Sequence, residues 1–294
     1  MKKILLSMTL VITVILLTSG AWAQGTDKNL YARVVALENK VATLQSQVAN
    51  LQAVLQYLTV DTGVVNGLAG PHVIFTGVNV HIRSGSGLTD DGGNPSGLGN
   101  LIVGYDEIIS EPRPRTGSHN LVVGPNHAYP SWGGFVTGYG NTISGTYSSV
   151  SGGAGNTASG SSSSVSGGYE NTASGSSSSV SGGDTNTASG SFSSVSGGQQ
   201  NTASAQDSSV SGGSQNIASA LFSSVSGGGG NEASGNDSSV SGGVDNTASG
   251  LYSSVSGGNN GEASGRYSSV SGGANVTAIG QNSWAAGDYA WPPP

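Results

Sequence analysis

The sequence has 294 residues, of which 50 are glycine and only 9% are charged, and it contains no cysteine. This composition excludes an ordinary globular core over the glycine-rich half and a framework of disulfide bonds. Such a bias is typical of disorder, but here it is periodic, and the periodicity favours a stacked structure.

Residues 1–23 have the pattern of a secretory signal peptide. Two lysines precede an apolar run over residues 4–17, and residues 21–23 (AWA) form a small-x-small site that predicts cleavage after Ala23. The alternative, an uncleaved membrane anchor, is disfavoured because the run is shorter than the about 20 residues that span a bilayer. We therefore expect a secreted, extracellular or cell-surface protein. Its seven remaining basic residues against 16 acidic ones disfavour a nucleic-acid partner.

Residues 24–61 are predicted to form an α-helical coiled coil, with the helix over residues 29–59. Valine and leucine repeat at the two core positions of four heptads, without glycine or proline, which favours a coiled coil over a helix packed on a globular core. The core positions are Val34, Leu37, Val41, Leu44, Val48, Leu51, Leu55 and Leu58. Valine alternating with leucine favours a coiled coil of two helices, whereas the fold inferred below favours one of three helices.

Residues 62–100 are interpreted as a joint and cap. Residues 73–75 (VIF) and the alternating residues 78–82 (VNVHI) predict short strands. Residues 90–94 (DDGGN) lack the ligand spacing and closing glutamate of a calcium loop, so we predict a turn there.

Residues 101–145 are predicted to form irregular first coils of a solenoid. Residues 101–104 (LIVG), 121–124 (LVVG) and 135–138 (FVTG) are apolar versions of the strand that recurs later, and loops separate them. More apolar terminal coils are what a solenoid needs to close its end.

Residues 146–280 repeat one phrase, SSVSGGxxNTASGxx, nine times, so that a glycine stands at every fifteenth position from Gly153 to Gly273. A period this short is typical of one coil of a parallel β-solenoid and is too short for a helical repeat. The fold class is therefore an all-β solenoid preceded by a coiled coil. The repeat valines are Val150, Val165, Val180, Val195, Val210, Val225, Val240, Val255 and Val270.

Each coil is expected to hold two short strands whose valine, asparagine and alanine point inward. This face is too thin for the core of a monomer, so we expect several chains to share it. The asparagines are expected to stack about 4.8 Å apart as an amide ladder that breaks at Gly261 and Val276. Its members are Asn156, Asn171, Asn186, Asn201, Asn216, Asn231 and Asn246.

Two outward columns are candidate binding surfaces. An aromatic column lies three residues before the valine and is a candidate carbohydrate-binding stripe, with a tolerant loop or packing position as the alternative. Its members are Tyr147, Phe192, Phe222, Tyr252 and Tyr267. A threonine row could match ice or a crystalline polysaccharide, although Ile217, Glu232 and Glu262 interrupt it. The row begins with Thr142, Thr157, Thr172, Thr187 and Thr202.

Residues 281–294 are predicted to form a terminal cap. Trp284 is expected to replace the repeat valine in a last coil that is one residue shorter than the others, between Gly273 and Gly287. Residues 292–294 (PPP) would then stop the addition of further strands.

Residues 149–153 (SVSGG) and 156–160 (NTASG) resemble the unit SVAIGxxAxAxGxx of the YadA-like heads of trimeric autotransporter adhesins. The resemblance covers about residues 101–287. It implies a left-handed parallel β-roll, a homotrimer in which the valine and alanine faces share one core, and an adhesive role at a surface.

Three features depart from that family. The regular coils are one residue longer than the family unit, and glycine replaces its inward isoleucine. The coiled coil precedes the roll, whereas adhesin stalks usually follow the head. The family's C-terminal membrane barrel is not expected in this sequence.

The sequence predicts no enzyme, cofactor or metal site. The histidines His72, His81, His119 and His127 lack metal-motif spacing, and no nucleophile elbow or phosphate loop occurs. We expect a fibrous structural or adhesive protein whose partners are its own copies and a host-surface, matrix or polysaccharide ligand. The alternative is a ligand-binding repeat face, for polysaccharide or ice, on a self-contained solenoid.

Overall fold

The computed structural model describes residues 28–109 and 111–287, which divide into two units between Val80 and His81. The predicted signal peptide and the last seven residues of the predicted cap lie outside the described residues. Within the described part of the chain, no helix has the length and apolar character needed to cross a membrane.

The first unit consists of helix α1 (Lys28–Leu55) followed by two small antiparallel pairs. Its strands are β1 (Leu58–Asp61), β2 (Val64–Val65), β3 (Leu68–Ala69) and β4 (His72–Phe75). Strand β1 pairs with β4, and β2 pairs with β3 in a hairpin between them. Asn66 and Gly67 close this hairpin with positive φ angles of 51° and 82°, the combination that a tight Asn-Gly turn requires.

The structure corrects two predictions in the first unit. The helix ends at Leu55, and Leu58 begins β1 opposite Phe75, so the assignment of Leu58 to the coiled-coil core is wrong. Pairing with β4 overrides the heptad spacing at this point. The strand predicted at residues 73–75 is confirmed as part of β4, whereas residues 78–82 form no strand.

The second unit is a parallel β-solenoid with two sheets. The sheet that carries the repeat valines, called the valine sheet, has 13 strands. They are Leu101–Val103, Leu121–Val123, Phe135–Thr137, Ser149–Val150, Ser164–Val165, Ser179–Val180, Ser194–Val195, Ser209–Val210, Ser224–Val225, Ser239–Val240, Ser254–Val255, Ser269–Val270 and Trp284–Ala285. The alanine sheet has ten strands. They are Thr142–Ile143, Thr157–Ala158, Thr172–Ala173, Thr187–Ala188, Thr202–Ala203, Ile217–Ala218, Glu232–Ala233, Thr247–Ala248, Glu262–Ala263 and Thr277–Ala278.

Equivalent residues of successive coils pair in register. Val165 pairs with Val180 and Ala158 pairs with Ala173, which confirms the predicted coil length and the two strands in each coil. A third line of contact, which the sequence did not predict, joins the coils through single-residue parallel bridges such as Ala154 to Tyr169. Backbone hydrogen bonds therefore connect the coils on three sides.

The core of the solenoid closes within one chain. The repeat valines and the alanines opposite them are at most 2% exposed and form one continuous cluster. The prediction that this face is too thin for a single chain is therefore wrong. Side chains as small as valine and alanine suffice because serines such as Ser163 and the asparagines also point inward and are at most 1% exposed.

The last described coil has a different register from the one predicted. Trp284 pairs with Ser269 on the outer face, and Ala285 pairs with Val270 on the inner face. The coil therefore keeps the full repeat length, and Trp284, which is 67% exposed, does not replace the repeat valine. Its indole Nε1 donates a hydrogen bond to Ser271 Oγ at 2.7 Å.

Candidate functional site

The inward asparagines bind backbone groups of their own and neighbouring coils. Asn171 Nδ2 donates to the carbonyls of Gly167 at 3.1 Å and Gly183 at 2.9 Å. Its Oδ1 accepts the backbone N–H of Asn186 at 2.9 Å. Each side chain thus binds three backbone groups, and one of these, the N–H of the next asparagine, is buried and would otherwise destabilise the interior.

This arrangement revises the predicted amide ladder. The asparagines stack as expected, but the bonds run from amide to backbone; only Asn246 also donates its Nδ2 to a neighbouring amide, Asn231 Oδ1, at 3.1 Å. The predicted break is confirmed at Gly261, whose backbone N–H donates to Asn246 Oδ1 and which has no side chain to continue the series. We call residues 141 to 246 of this column the asparagine ladder.

A histidine begins the ladder at its other end. His127 is fully buried, and its Nδ1 accepts the backbone N–H of Asn141 at 3.2 Å. Nε2 therefore carries the hydrogen and donates to the Val123 carbonyl at 3.1 Å. The ring repeats the bonds of an asparagine, and its position one coil before Asn141 is the signal in the sequence that could have identified it.

A partly buried ion pair lies beside this histidine. Asp106, only 4% exposed, accepts hydrogen bonds from Arg115 at 3.0 Å and from the Tyr129 hydroxyl at 2.9 Å. Burial, together with the hydrogen bond to Asp106, raises the pKa of Tyr129 to about 12. Burial also lowers the pKa of His127, although the carbonyl of Val123 and the charge of Asp106 oppose this shift. The cluster links residues of the first coils, and the burial of His127 favours its neutral imidazole.

A carboxylate clamp closes the predicted turn at residues 90–94. Asp91, at the start of the 3-10 turn Asp91–Gly93, accepts hydrogen bonds from the hydroxyls of four serines. These are Ser84, Ser86, Ser96 and Ser118. Hydrogen bonds from Ser118 above all hold the pKa of Asp91 well below its usual range. Because the carboxylate is saturated by donors from its own chain, the clamp is structural.

Two columns of outward-pointing residues have positive φ angles, in the left-handed region of backbone conformation. Residues at the aromatic position have φ between 55° and 59°, and those just before the ladder asparagines have φ between 52° and 60° where they are not glycine. Glycine itself occupies the second column at 140, 155 and 230. The turns of each coil require this conformation, which strains most side chains by about 1–2 kcal/mol.

The aromatic column is confirmed as an exposed line of side chains. Its five predicted members are 46–61% exposed. The rings of Tyr252 and Tyr267 stack with their centroids 5.0 Å apart and their planes 5° from parallel. The stacking covers one face of each of these two rings, so a sugar ring could pack only against their opposite faces.

The threonine row is in register on the outer surface of the alanine sheet. Thr157 pairs with Thr142 on one side and with Thr172 on the other, and Ile217 and Glu232 interrupt the row as predicted. The valine sheet carries a longer outward row, because serine stands beside the repeat valine in nine successive coils from Ser149 to Ser269.

Helix α1 has an apolar row that no other described residue covers. Six predicted core residues are 47–60% exposed, and Val34 is partly buried. The six are Leu37, Val41, Leu44, Val48, Leu51 and Leu55. We call them the helix seam.

Three of the four histidines make hydrogen bonds with separate backbone groups. His72 Nε2 bonds the Leu68 carbonyl, and His119 accepts the backbone N–H of Ser84, while His127 belongs to the ladder. Across residues 28–109 and 111–287, no group of three metal-ligating side chains could hold a metal ion.

No protein-family model matches the sequence, and a comparison with curated proteins finds no significant match. The likeness to adhesin heads therefore rests on the repeat phrase and on the parallel solenoid alone.

Proposed function

We propose that the chain is a secreted or surface-exposed fibrous protein with a structural or adhesive role, assembled as a homotrimer similar to YadA-like heads. The observation that carries the proposal is the helix seam, whose side chains are 47–60% exposed at heptad spacing. Such a seam is stabilised when the helices of several chains bury it together. The helix would then set the oligomer, while each solenoid keeps its own core.

The division of the solenoid into constant and variable columns supports display as its role. Valine occupies the inward position of all nine regular coils, whereas the bridge position reads alanine, tyrosine, aspartate and glutamine in its first four. A scaffold of this kind can change its surface without disturbing its interior. This is the property that an adhesive or structural surface needs.

The resemblance favours three chains, and the valine-leucine heptads alone favour two. We propose three chains, because the parallel solenoid agrees with the parallel β-roll that the resemblance to YadA-like heads implies. The adhesive target would be a host-surface, matrix or polysaccharide ligand.

Sedimentation of the chain from residue 24 onward tests the assembly. Leu44→Lys should convert trimers to monomers because it introduces a charge into the helix seam. The adjacent Gln45 is exposed and outside the seam, so Gln45→Lys is the matched control and should leave the mass unchanged. An unchanged mass for Leu44→Lys would contradict the proposal.

A second candidate function is a ligand-binding repeat face for polysaccharide or ice. It is favoured by the core that closes within one chain and by the register of the threonine row. Thermal hysteresis or retention on insoluble polysaccharide, lost in Thr172→Glu and retained in the exposed-corner variant Ser176→Glu, would support it. Absence of both activities in the wild-type chain would remove it.

A further inference from the structure

The aromatic column contains an alternation of rings and carboxylates. Phe192, Asp207, Phe222, Asp237 and Tyr252 occupy one position in five successive coils. Their φ angles lie between 55° and 59°, and each backbone N–H donates to a carbonyl of the preceding coil at 2.9–3.2 Å. The five side chains therefore leave the same corner of the solenoid at regular intervals.

The interval determines how far apart the rings lie. Tyr252 and Tyr267, one coil apart, have ring centroids separated by 5.0 Å, close to the spacing of paired strands. Rings two coils apart, such as Phe192 and Phe222, are then separated by about 10 Å. A group midway between two such rings would lie about 5 Å from each, on the coil that carries the aspartate.

A contact within the chain shows that a cation fits at about 5 Å from a ring of this column. The guanidinium carbon of Arg266 lies 4.9 Å from the centroid of the Tyr267 ring. Cations are attracted to aromatic faces within about 6 Å. At Asp207 and Asp237 the chain supplies no such cation, because the only salt bridge among the described residues lies in the first coils. Asp207 accepts a neutral donor instead, the side-chain amide of Gln206 at 3.0 Å.

We propose that the gaps at Asp207 and Asp237 each bind an arginine or lysine side chain of a partner protein, held between two rings and against the carboxylate. The excess of 16 acidic over nine basic residues in the sequence favours such a partner. The gaps are about 10 Å apart, which matches side chains three residues apart on an extended polyproline segment rising about 3.1 Å per residue. The inference deepens the adhesive role proposed above and rests on it for its biological use.

Calorimetric titration of the full chain at low ionic strength tests the inference. The probe is a capped Gly-Arg-Pro-Pro-Arg-Gly peptide, and its neutral counterpart carries citrulline in place of arginine. We expect the arginine peptide to bind and the citrulline peptide not to bind. Phe222→Leu removes the ring that borders both gaps and should weaken binding about tenfold.

Controls separate the gaps from general attraction to an acidic chain. Tyr147 lies in the same column with Ser162 in the next coil, so Tyr147→Leu should bind as the wild type does. Asp237→Asn should weaken binding more than Asp184→Asn, which changes a carboxylate outside the column. Equal losses of binding in Phe222→Leu and Tyr147→Leu, or in Asp237→Asn and Asp184→Asn, would overturn the inference. Binding of tetramethylammonium without binding of the peptide would also overturn it.

This test is independent of the proposed assembly. All five residues belong to one chain, so a monomer that binds the peptide supports the gaps even if the trimer fails. Unchanged melting temperatures of the variants show that a loss of binding is not a loss of folding.

Discussion

His127 Nδ1 accepts the backbone N–H of Asn141 at 3.2 Å, in the way that each ladder asparagine accepts the N–H of the next. On its other side, Nε2 donates to the carbonyl four residues earlier, as Asn156 does to Gly152. The column therefore begins, one coil before the asparagine ladder, with a titratable group that must be neutral to make both hydrogen bonds.

The stability of the first coils should fall in mild acid. Because burial lowers the pKa of His127 below its ordinary value of 6.5, the unfolded chain binds this proton more readily than the folded chain. Stability is then complete above about pH 6.5 and is lost as the pH falls through the lower folded pKa. Thermal melts between pH 7.5 and 5 measure this dependence.

His127→Asn should remove the dependence and keep the ladder, because an amide provides the same donor and acceptor without titrating. The exposed His81 provides the control, and His81→Asn should melt as the wild type does at each pH. If His127→Asn keeps the wild-type slope, the ladder role of this histidine is wrong.

Adjacent glycines should differ sharply in their tolerance of alanine. At Gly228, where φ is +89°, an added Cβ would lie 2.2 Å from the carbonyl oxygen of Gly243, whereas at Gly227 it would meet nothing within 4 Å. Gly228→Ala should therefore lower the melting temperature by many degrees or prevent folding. Gly227→Ala should change the free energy of unfolding by less than about 0.5 kcal/mol. Similar melting temperatures for the two variants would refute the close packing of coils at this corner.

Removing one ladder amide should destabilise the solenoid strongly. Asn201 binds the carbonyls of Gly197 and Gly213 and the N–H of Asn216, all at 2.8–2.9 Å. Asn201→Ala removes the partners of the buried Asn216 N–H and of the Gly197 carbonyl, whereas the Gly213 carbonyl still accepts the N–H of Gln199 at 2.9 Å. The variant should cost about 2 kcal/mol or more, at about 1–3 kcal/mol for each of the two groups. Denaturant titration measures the loss. The neighbouring outward variant Thr202→Ala should cost much less, and an equal cost would contradict the ladder's structural role.

Relieving the left-handed strain at one turn should stabilise the chain. Thr185 has φ of +57°, which is unfavourable for a β-branched residue, while Gly155 and Gly230 occupy the same column. Thr185→Gly should raise the free energy of unfolding by about 1 kcal/mol. Thr187→Gly, in an alanine-sheet strand, should lower it. Loss of stability in Thr185→Gly would contradict the strain argument.

The length of the solenoid coils, the positions of their strands and the residues that face inward could all be predicted from the sequence, because one strict repeat determines them. Val165 and Ala158 are buried as the period-two pattern predicted. The register of the last coil could not be read from its glycine spacing, because Trp284 resembles a bulky core residue and its outward position depends on pairing with Ser269.

Other features depend on contacts that no single repeat reveals. The closure of the core depends on how closely two sheets of small residues approach, so the sequence wrongly suggested a core shared between chains. The strained φ at Thr185 follows from the turn that joins two coils and has no signal in a threonine. The end of α1 before Leu58 depends on the pairing of that residue with Phe75.

The central claim is that each chain completes its own solenoid and that the helix sets the oligomer. Light scattering, with circular dichroism to verify folding, should be applied to residues 24–294 and to residues 81–294, which lack the first unit. We predict three chains for the longer protein and a folded monomer for the shorter one. Three chains in both, or an unfolded shorter chain, would show that the solenoid needs its partners and would contradict the account.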